Sequence, residues 1–332
     1  MKLIDIDSSV NLPKYKQIVL SIERAIEEKR LAKNERLPSI NKICLAHDIS
    51  RDTVLLAFAE LKKRGVIYSI LGKGYFVKTI HLNFEMSIFL LFDELNAFKE
   101  EIYQSFVQKI GEKAKVDIYF HHFDSSMFRK LIDDSRGNYS KYIIMPSNLT
   151  NVDDIIKTLP KNEVYILDQT NENLTDFPSV HQNFEKEMYS SLVKGLDKIC
   201  KYKRLILLFP GQKEPIGMVK GFERFCAEHQ FNHAVLPSFE PKKIDKGTIF
   251  ITPSDRHLVE IIEKGKAQNF ELGSDYGIIS FNDTPLKKVV GNGITTISTD
   301  FGLMGKTLAK MILTNGKKQI ENPSELILRE SL

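Results

Sequence analysis

From residue 86 onward the chain alternates short, uninterrupted apolar runs with amphipathic stretches, and few architectures accept that pattern. The runs predict strands at Ser87–Phe92, Val116–Phe120, Tyr142–Met145, Val164–Leu167, Leu205–Phe209, Thr248–Ile251 and Gly277–Ser280. Between them Ala97–Lys113, Met127–Asp134, Glu185–Cys200, Val219–His229 and Arg256–Lys264 read as helices. A strand apolar throughout must be covered on both faces, so such strands separated by helices predict a parallel α/β sheet. The runs at 88–92 and 205–209 are five residues long; a membrane-spanning helix needs about 20. With 42% apolar and 27% charged residues the composition is that of a soluble globular chain. Its 332 residues are enough for two or three folded units. Asp5 and Asp7 interrupt the start where a secretion signal would be apolar. Three scattered cysteines, Cys44, Cys200 and Cys226, fit neither a disulfide framework nor a CxxC metal site. A soluble, cytoplasmic protein is expected.

Charge is unevenly distributed. Residues 1–80 hold 15 Lys+Arg against 9 Asp+Glu, and the remainder holds 32 against 34. A basic front on a near-neutral body points to a polyanion-binding module. The segment from Pro13 to Lys78 predicts three helices and a hairpin. Gln17–Lys29 carries Ile18, Ile22, Ala25 and Ile26 at helical spacing. Leu37-Pro38-Ser39 breaks the chain before a short helix at Ile40–His47, with Ser39 as its cap. Ser50 caps a third helix through Lys63, which Gly65 ends. Val66–Ser69 and Tyr75–Lys78 flank Gly72-Lys73-Gly74 as a hairpin. Two helices joined by a tight turn and followed by a hairpin make a winged helix-turn-helix. Its recognition helix would enter the major groove through Ser50, Arg51, Asp52 and Thr53. Free N–H groups at that helix end favour phosphate, and Arg51 can grip a phosphate or a guanine edge. Lys73 at the wing tip is flanked only by glycines, which lets the backbone approach a groove.

Pro13-x-Tyr15-x-Gln17-Ile18, Leu37-Pro38-Ser39, Ser50-Arg51-x-Thr53-Val54, Ala57, Leu61, Gly65 and Gly72-x-Gly74-x-Phe76-Val77 resemble the DNA-binding domain of the gluconate-repressor (GntR) family. That resemblance implies contacts to DNA from Ser39, Asn41, Lys42, Ser50, Arg51, Asp52, Thr53, Lys73 and Gly74. Family members usually carry arginine where this chain has Asn41 and Leu55, so the operator sequence is expected to depart from the family's usual one.

In the body, polar residues follow the predicted strands: Asp93 and Asn96, Ser147 and Asn148, Asp168 and Gln169, Ser254 and Asp255, Asn282 and Asp283. Ligands of open parallel sheets bind beyond the strand carboxyl ends, and these side chains would suit a polyhydroxylated molecule. The same residue types also follow strands simply because they make turns and caps. Gly277-Ile278-Ile279-Ser280-Phe281-Asn282-Asp283-Thr284-Pro285-Leu286, Thr295-Thr296-Ile297, Met304-Gly305 with Ala309, and Arg329-x-Ser331 resemble the effector domain of the lactose/galactose-repressor family. Leu95-Asn96-Ala97-Phe98 and Gly221-Phe222 are similar to further signatures of it. The resemblance implies a fold like that of periplasmic sugar-binding proteins, two α/β lobes joined by three crossing strands. The crossings are expected near 168–185, 281–285 and 296–302, with residues 186–280 largely in the second lobe. It implies ligand contacts from Asn96, Phe98, Asp255 and Asp283, with Asn148, Asp168 and Asn183 as further candidates. Phe98 would stack on a sugar ring. An arginine common in that family is replaced by Met218, and Arg256 is the candidate to supply a cation in its place.

The expected organisation is a winged helix-turn-helix domain over residues 1–79, a linker over 80–85, and a two-lobed effector-binding and dimerisation domain over 86–332. No GxSxG, HExxH, Walker motif or zinc spacing occurs, so no enzyme, metal or cofactor is expected. His121 and His122 are adjacent on a predicted strand and would point to opposite faces. The expected function is that of a ligand-responsive transcription factor. It would act as a homodimeric repressor of a carbohydrate-use operon, binding palindromic double-stranded DNA and controlled by a monosaccharide. The alternative is a regulator that responds to a nucleobase or peptide, or that only dimerises.

Overall fold

Pro13, at φ −50°, sets the entry of helix α1, Lys14–Glu27, and its carbonyl takes the N–H groups of Lys16 and Gln17. The helix therefore begins one turn before the periodicity suggests. In this computed structural model residues 3–7, 12–80, 86–211, 213–240 and 243–332 are described. Helices α2, Ile40–His47, and α3, Arg51–Lys63, match the expected spans. The hydroxyls of Ser39 and Ser50 accept the N–H groups of Lys42 at 3.3 Å and Thr53 at 3.2 Å, each satisfying an orphan donor of its helix. Strands β1, Ile67–Ile70, and β2, Gly74–Val77, pair antiparallel as the wing. Ile22, Val54, Phe58, Leu61 and Val77 lie fully buried in the core these elements enclose.

The first lobe of the body begins with β3, Met86–Phe92, α4, Ala97–Ile110, β4, Ala114–Phe120, α5, Ser125–Ser135, and β5, Lys141–Ile144. It continues through the single turn α6, Asp153–Ile156, to β6, Val164–Asp168, and β7, Ser179–His181. The chain then enters the second lobe with α7, Phe184–Lys194, α8, Leu196–Ile199, β8, Arg204–Leu208, α9, Gly217–Glu228, and β9, Asn232–Leu236. That lobe continues with β10, Thr248–Thr252, α10, Asp255–Ala267, β11, Tyr276–Phe281, and β12, Thr295–Thr299. Helix α11, Phe301–Leu313, and β13, Gln319–Glu321, return to the first lobe, and β14, Ser324–Ile327, to the second. The first sheet runs β13-β7-β6-β5-β3-β4, all parallel; the second runs β14-β12-β11-β10-β8-β9, parallel except for β14. Covering helices sit close where glycine allows it. A Cβ on Gly221 of α9 would strike the Glu185 carbonyl of α7, and one on Gly305 of α11 the Ile102 carbonyl of α4.

Several expectations change. The chain crosses between lobes at 182–183, at 300 and at 322–323. The first two fall inside expected windows, but 281–285 is no crossing, because β11 and β12 are neighbours in one sheet. The segment Glu185–Cys200 is two helices, broken at Gly195, where a Cβ would crowd Leu326. His121 and His122 lie beyond the end of β4, not on it. His122 has φ +51°, and the buried His121 ring pairs through Nε2 with the Met145 carbonyl at 3.0 Å. Strands β7, β9, β12, β13 and β14 were not anticipated. Of the expected linker, residues 81–85 lie outside the described residues.

The three crossings are tied together by the buried Asn322. Its amide donates to Thr299 Oγ1 and to the Asp300 carbonyl, both at 2.8 Å, and its backbone N–H reaches the His181 carbonyl at 2.7 Å. Thr299 Oγ1 in turn donates to the Pro323 carbonyl at 3.0 Å. Replacing Asn322 by alanine strips partners from buried polar groups, which typically costs about 1–3 kcal/mol. Chemical denaturation of N322A is expected to show that loss, and an unchanged midpoint would refute the tie.

Candidate functional site

On the head, Arg51, Asp52 and Lys73 are exposed, as are Asn41 and Lys42 in the first turn of α2. Ser39 and Ser50 are also exposed, but their oxygens already serve as caps, and the Thr53 hydroxyl lies 2.8 Å from that of Ser50. What α3 offers a polyanion is therefore Arg51 together with the positive end of the helix. Gly74, at φ +108°, lies against the Arg36 side chain, which comes within 3.4 Å of where a Cβ would stand. Arg36 is exposed, and its backbone bridges to Phe76 of the wing. Sequence spacing did not single it out, because it becomes part of the wing only when the chain before α2 lies along β2.

In the body, the carboxyl ends of both sheets face one another, and most charges there are already answered. Lys99, from the first turn of α4, lies 3.4 Å from Asp93 and 4.0 Å from Asp168. Burial works against its charge, but Asp168 and Asp93 outweigh burial and hold Lys99 above its usual range. Burial pushes the carboxyl of Asp168 up despite Lys99; Gln182 donates to that carboxylate at 2.5 Å. Asp93 also accepts the Ser147 hydroxyl at 2.9 Å. In the second lobe, Arg329 grips Asp283 with two parallel bonds of 2.7 and 2.8 Å. Burial opposes ionisation of Asp283, but the guanidinium prevails and holds the carboxyl below its usual value. Lys287 is buried with its ammonium 3.0 Å from Asp255 and 2.6 Å from the Phe281 carbonyl, and burial lowers its pKa.

The eight candidate ligand residues are distributed unevenly on this frame. Asn96 caps α4 through Lys99 N–H at 3.1 Å, and Asn183 caps α7 through Lys186 N–H at 3.2 Å while donating to Glu321. Phe98 stacks on Phe301, with ring centroids 5.1 Å apart. Asp168 is buried beside Lys99, and Asp283 is engaged by Arg329. Asp255 and Arg256 are exposed at the start of α10. Asn148 spans the two lobes, its amide donating to the Lys213 and Glu214 carbonyls at 3.0 and 2.8 Å. Asn148 lines one cavity of about 440 Å³ between the lobes, and Asp283 lines another of about 470 Å³. Lys99 and Lys287 escaped the sequence reading because a charged residue inside a helix or loop reads as solvated until the fold buries it, and Arg329 entered it only as part of a family motif, not as the partner of Asp283. Among the described residues no group of His, Cys, Asp and Glu could hold a metal ion, and no helix is long and apolar enough to cross a membrane.

Residues 14–77 match the model of the bacterial regulatory proteins of the gntR family, and residues 201–332 that of the periplasmic binding protein-like domain. Over 66 residues, 20% of this chain and 18% of the relative, the chain is 38% identical to the arabinose metabolism transcriptional repressor of Geobacillus stearothermophilus. The chain spans between 15% and 28% of the length of the curated relatives it matches. Among solved structures it is similar to a LacI family transcriptional regulator from Silicibacter pomeroyi, with TM-score 0.63 and 14% identity over 74% of this chain and 98% of that one. The trehalose repressor from Escherichia coli gives TM-score 0.60 and 14% identity over 74% of this chain and 100% of that one. The chain thus joins a DNA-binding helix-turn-helix domain of the gntR type to a periplasmic-binding-protein-like domain, a body with the two-lobed fold of LacI-type repressors.

Glu187 supplies a pH test of the first crossing. It is buried in the first turns of α7, accepts Asn183 N–H at 3.1 Å, and is pushed up to about 8, chiefly by burial. An acid raised in the folded state leaves stability intact below its ordinary value of 4.5 and erodes it as pH climbs to about 8. The erosion is at most roughly 1.4 kcal/mol per pH unit. E187Q is expected to flatten the stability profile between those pH values. Parallel profiles for the two proteins would show that Glu187 titrates normally.

Proposed function

We propose that this protein is a cytoplasmic, ligand-responsive transcription regulator, a repressor of a carbohydrate-use operon, acting as a homodimer on a palindromic operator. The observation that carries the reading is the union, in one chain, of an exposed basic recognition surface with a two-lobed body enclosing polar space between its strand ends. Arg51, Asn41 and Lys42 would meet the duplex from the two helices and Lys73 from the wing, with Arg36 beside it. Ser39, Ser50, Asp52, Thr53 and Gly74 shape that surface. Two heads on two bodies would meet two half-sites, as a closed dimer requires.

A small sugar between the lobes would favour one closure of the body over another. It can shift operator affinity only by its own difference in affinity for the two states. Contact between head and body supports such coupling: Lys16, in the first turn of α1, donates to Asn138 Oδ1 at 2.6 Å and to the Gly137 carbonyl in the first lobe. That seat is anchored to the core by the buried Tyr142, whose hydroxyl takes Gly137 N–H at 2.9 Å and donates to the Ser135 carbonyl at 3.0 Å. Movement of the first lobe would thus reach the head without passing through the linker alone.

The test is anisotropy titration of duplex fragments taken from the gene's own neighbourhood, with and without candidate sugars. R51A is expected to weaken operator binding by about 1–3 kcal/mol and to leave ligand binding intact. Equal loss of both would indicate a folding defect, and no loss of DNA affinity would remove Arg51 from the interface.

A further inference from the structure

We infer that α3 reads thymine by apolar contact, with Leu55 and Leu56 packing against the methyl groups of thymines in the major groove of each half-site. This rests on the DNA-binding role proposed above and names the base that the helix selects.

Helix α3 carries two unlike stripes. Val54, Ala57, Phe58 and Leu61 are fully buried in the core of the head. The opposite stripe holds Asp52, Leu55, Leu56 and Ala59. Asp52 and Ala59 are exposed, Leu56 is 53% exposed and Leu55 is half-buried. Among the described residues neither leucine belongs to the apolar core of the head, which does take in the half-buried Ile40, Cys44 and Ile49. Leu55 stands one turn beyond Arg51, so the two are neighbours on the helix surface. Over Leu55, Leu56 and Ala59 the stripe offers hydrocarbon only. Of the polar residues that follow, Glu60 lies 3.9 Å from Arg64, and Lys62 donates to the Ser69 hydroxyl of the wing at 3.1 Å.

The charges around this stripe decide what covers it. Arg51 on α3, Lys42 on α2 and Lys73 on the wing are exposed cations. A second head brought against α3 would set these charges against their own copies, whereas duplex phosphates complete them. Phosphate contacts position a recognition helix, and the side chains between them meet base edges. There a leucine discriminates. Thymine alone among the four bases presents a methyl group in the major groove. Purines and cytosine present donors or acceptors that hydrocarbon would strip of water without replacing it. Thymine at the positions that Leu55 and Leu56 cover follows from this chemistry.

In the test, full-length protein enriches duplexes from a randomised pool, and binding is then measured by anisotropy. Each thymine of the recovered half-site is replaced in turn by 2′-deoxyuridine, which lacks only the methyl group. At least one replacement per half-site is expected to weaken binding about fourfold, the worth of one buried methyl. L55A/L56A is expected to bind thymine and uracil duplexes alike. L56A alone, at an open position where alanine suits a helix, is expected to lose part of the difference. Uracil duplexes bound as tightly as thymine ones at every position overturn the assignment and leave DNA binding standing, as does a folded L55A/L56A protein that keeps the difference. Should the double variant not fold, unaltered discrimination in both single variants overturns it equally. A double variant that binds duplexes like wild type but sediments as a monomer assigns the leucines to a contact between copies, which also overturns it. Failure to enrich any duplex, from protein with a folded circular-dichroism spectrum, overturns the DNA-binding role itself.

Discussion

One buried amide holds the body together at its narrowest point. Asn322 reaches the first crossing at His181, the second at Thr299 and Asp300, and sits in the third itself. Each lobe is assembled from pieces of chain distant in sequence, and at this junction all three crossings meet. A buried residue whose side-chain amide has two satisfied partners and whose backbone N–H has a third defines that junction more sharply than apolar packing would, since such a group tolerates little displacement before a donor or acceptor is orphaned. The facing strand ends, and the space between them, inherit their registration from this point.

That space has a consistent electrostatic character. Each lobe turns charged groups inward, and the pairings Lys99 with Asp93 and Asp168, Arg329 with Asp283, and Lys287 with Asp255 answer them within a single lobe. Lys213 with Glu94 does so across the gap. The more buried of these, Lys99 with Asp93 and Asp168 and Arg329 with Asp283, contribute less to stability than to shape, because desolvation offsets much of their attraction. The head differs in part: Lys42, Arg51 and Lys73 stand exposed on α2, α3 and the wing, whereas Arg64 pairs with Glu23 at 2.7 Å.

Much of this was legible in the amino-acid order because local physics sufficed. Ser39 and Ser50 announced helices that begin one residue later, and the apolar runs located the central strands to within two residues. The parts that were not legible depend on distant partners. Strands such as Gln319–Glu321 and Asn232–Leu236 are edge or near-edge strands with polar residues, and short polar strands carry no run to detect. The third crossing was misplaced at 281–285 because a polar Asn-Asp pair after a strand looks the same whether the chain crosses or merely turns. Asp283 and Arg329 lie 46 residues apart, so nothing local betrays that one neutralises the other. The resemblances supplied the two-lobed plan that periodicity alone could not, and the candidate ligand residues they implied fall partly on caps and ion pairs.

The dispersal of each lobe along the chain bears on how such a protein comes off the ribosome. The head is assembled from residues before position 80 and can fold while translation continues. The first lobe lacks the helix that covers α4 until residue 313 has emerged. The second waits longer still, since Ser331 bridges Thr295 and Ile278 with two bonds of 2.7 Å and Leu332 packs into its core. A nascent chain short of residue 331 would therefore carry its helix-turn-helix head ahead of an unfinished body, with apolar strands of the second lobe still uncovered.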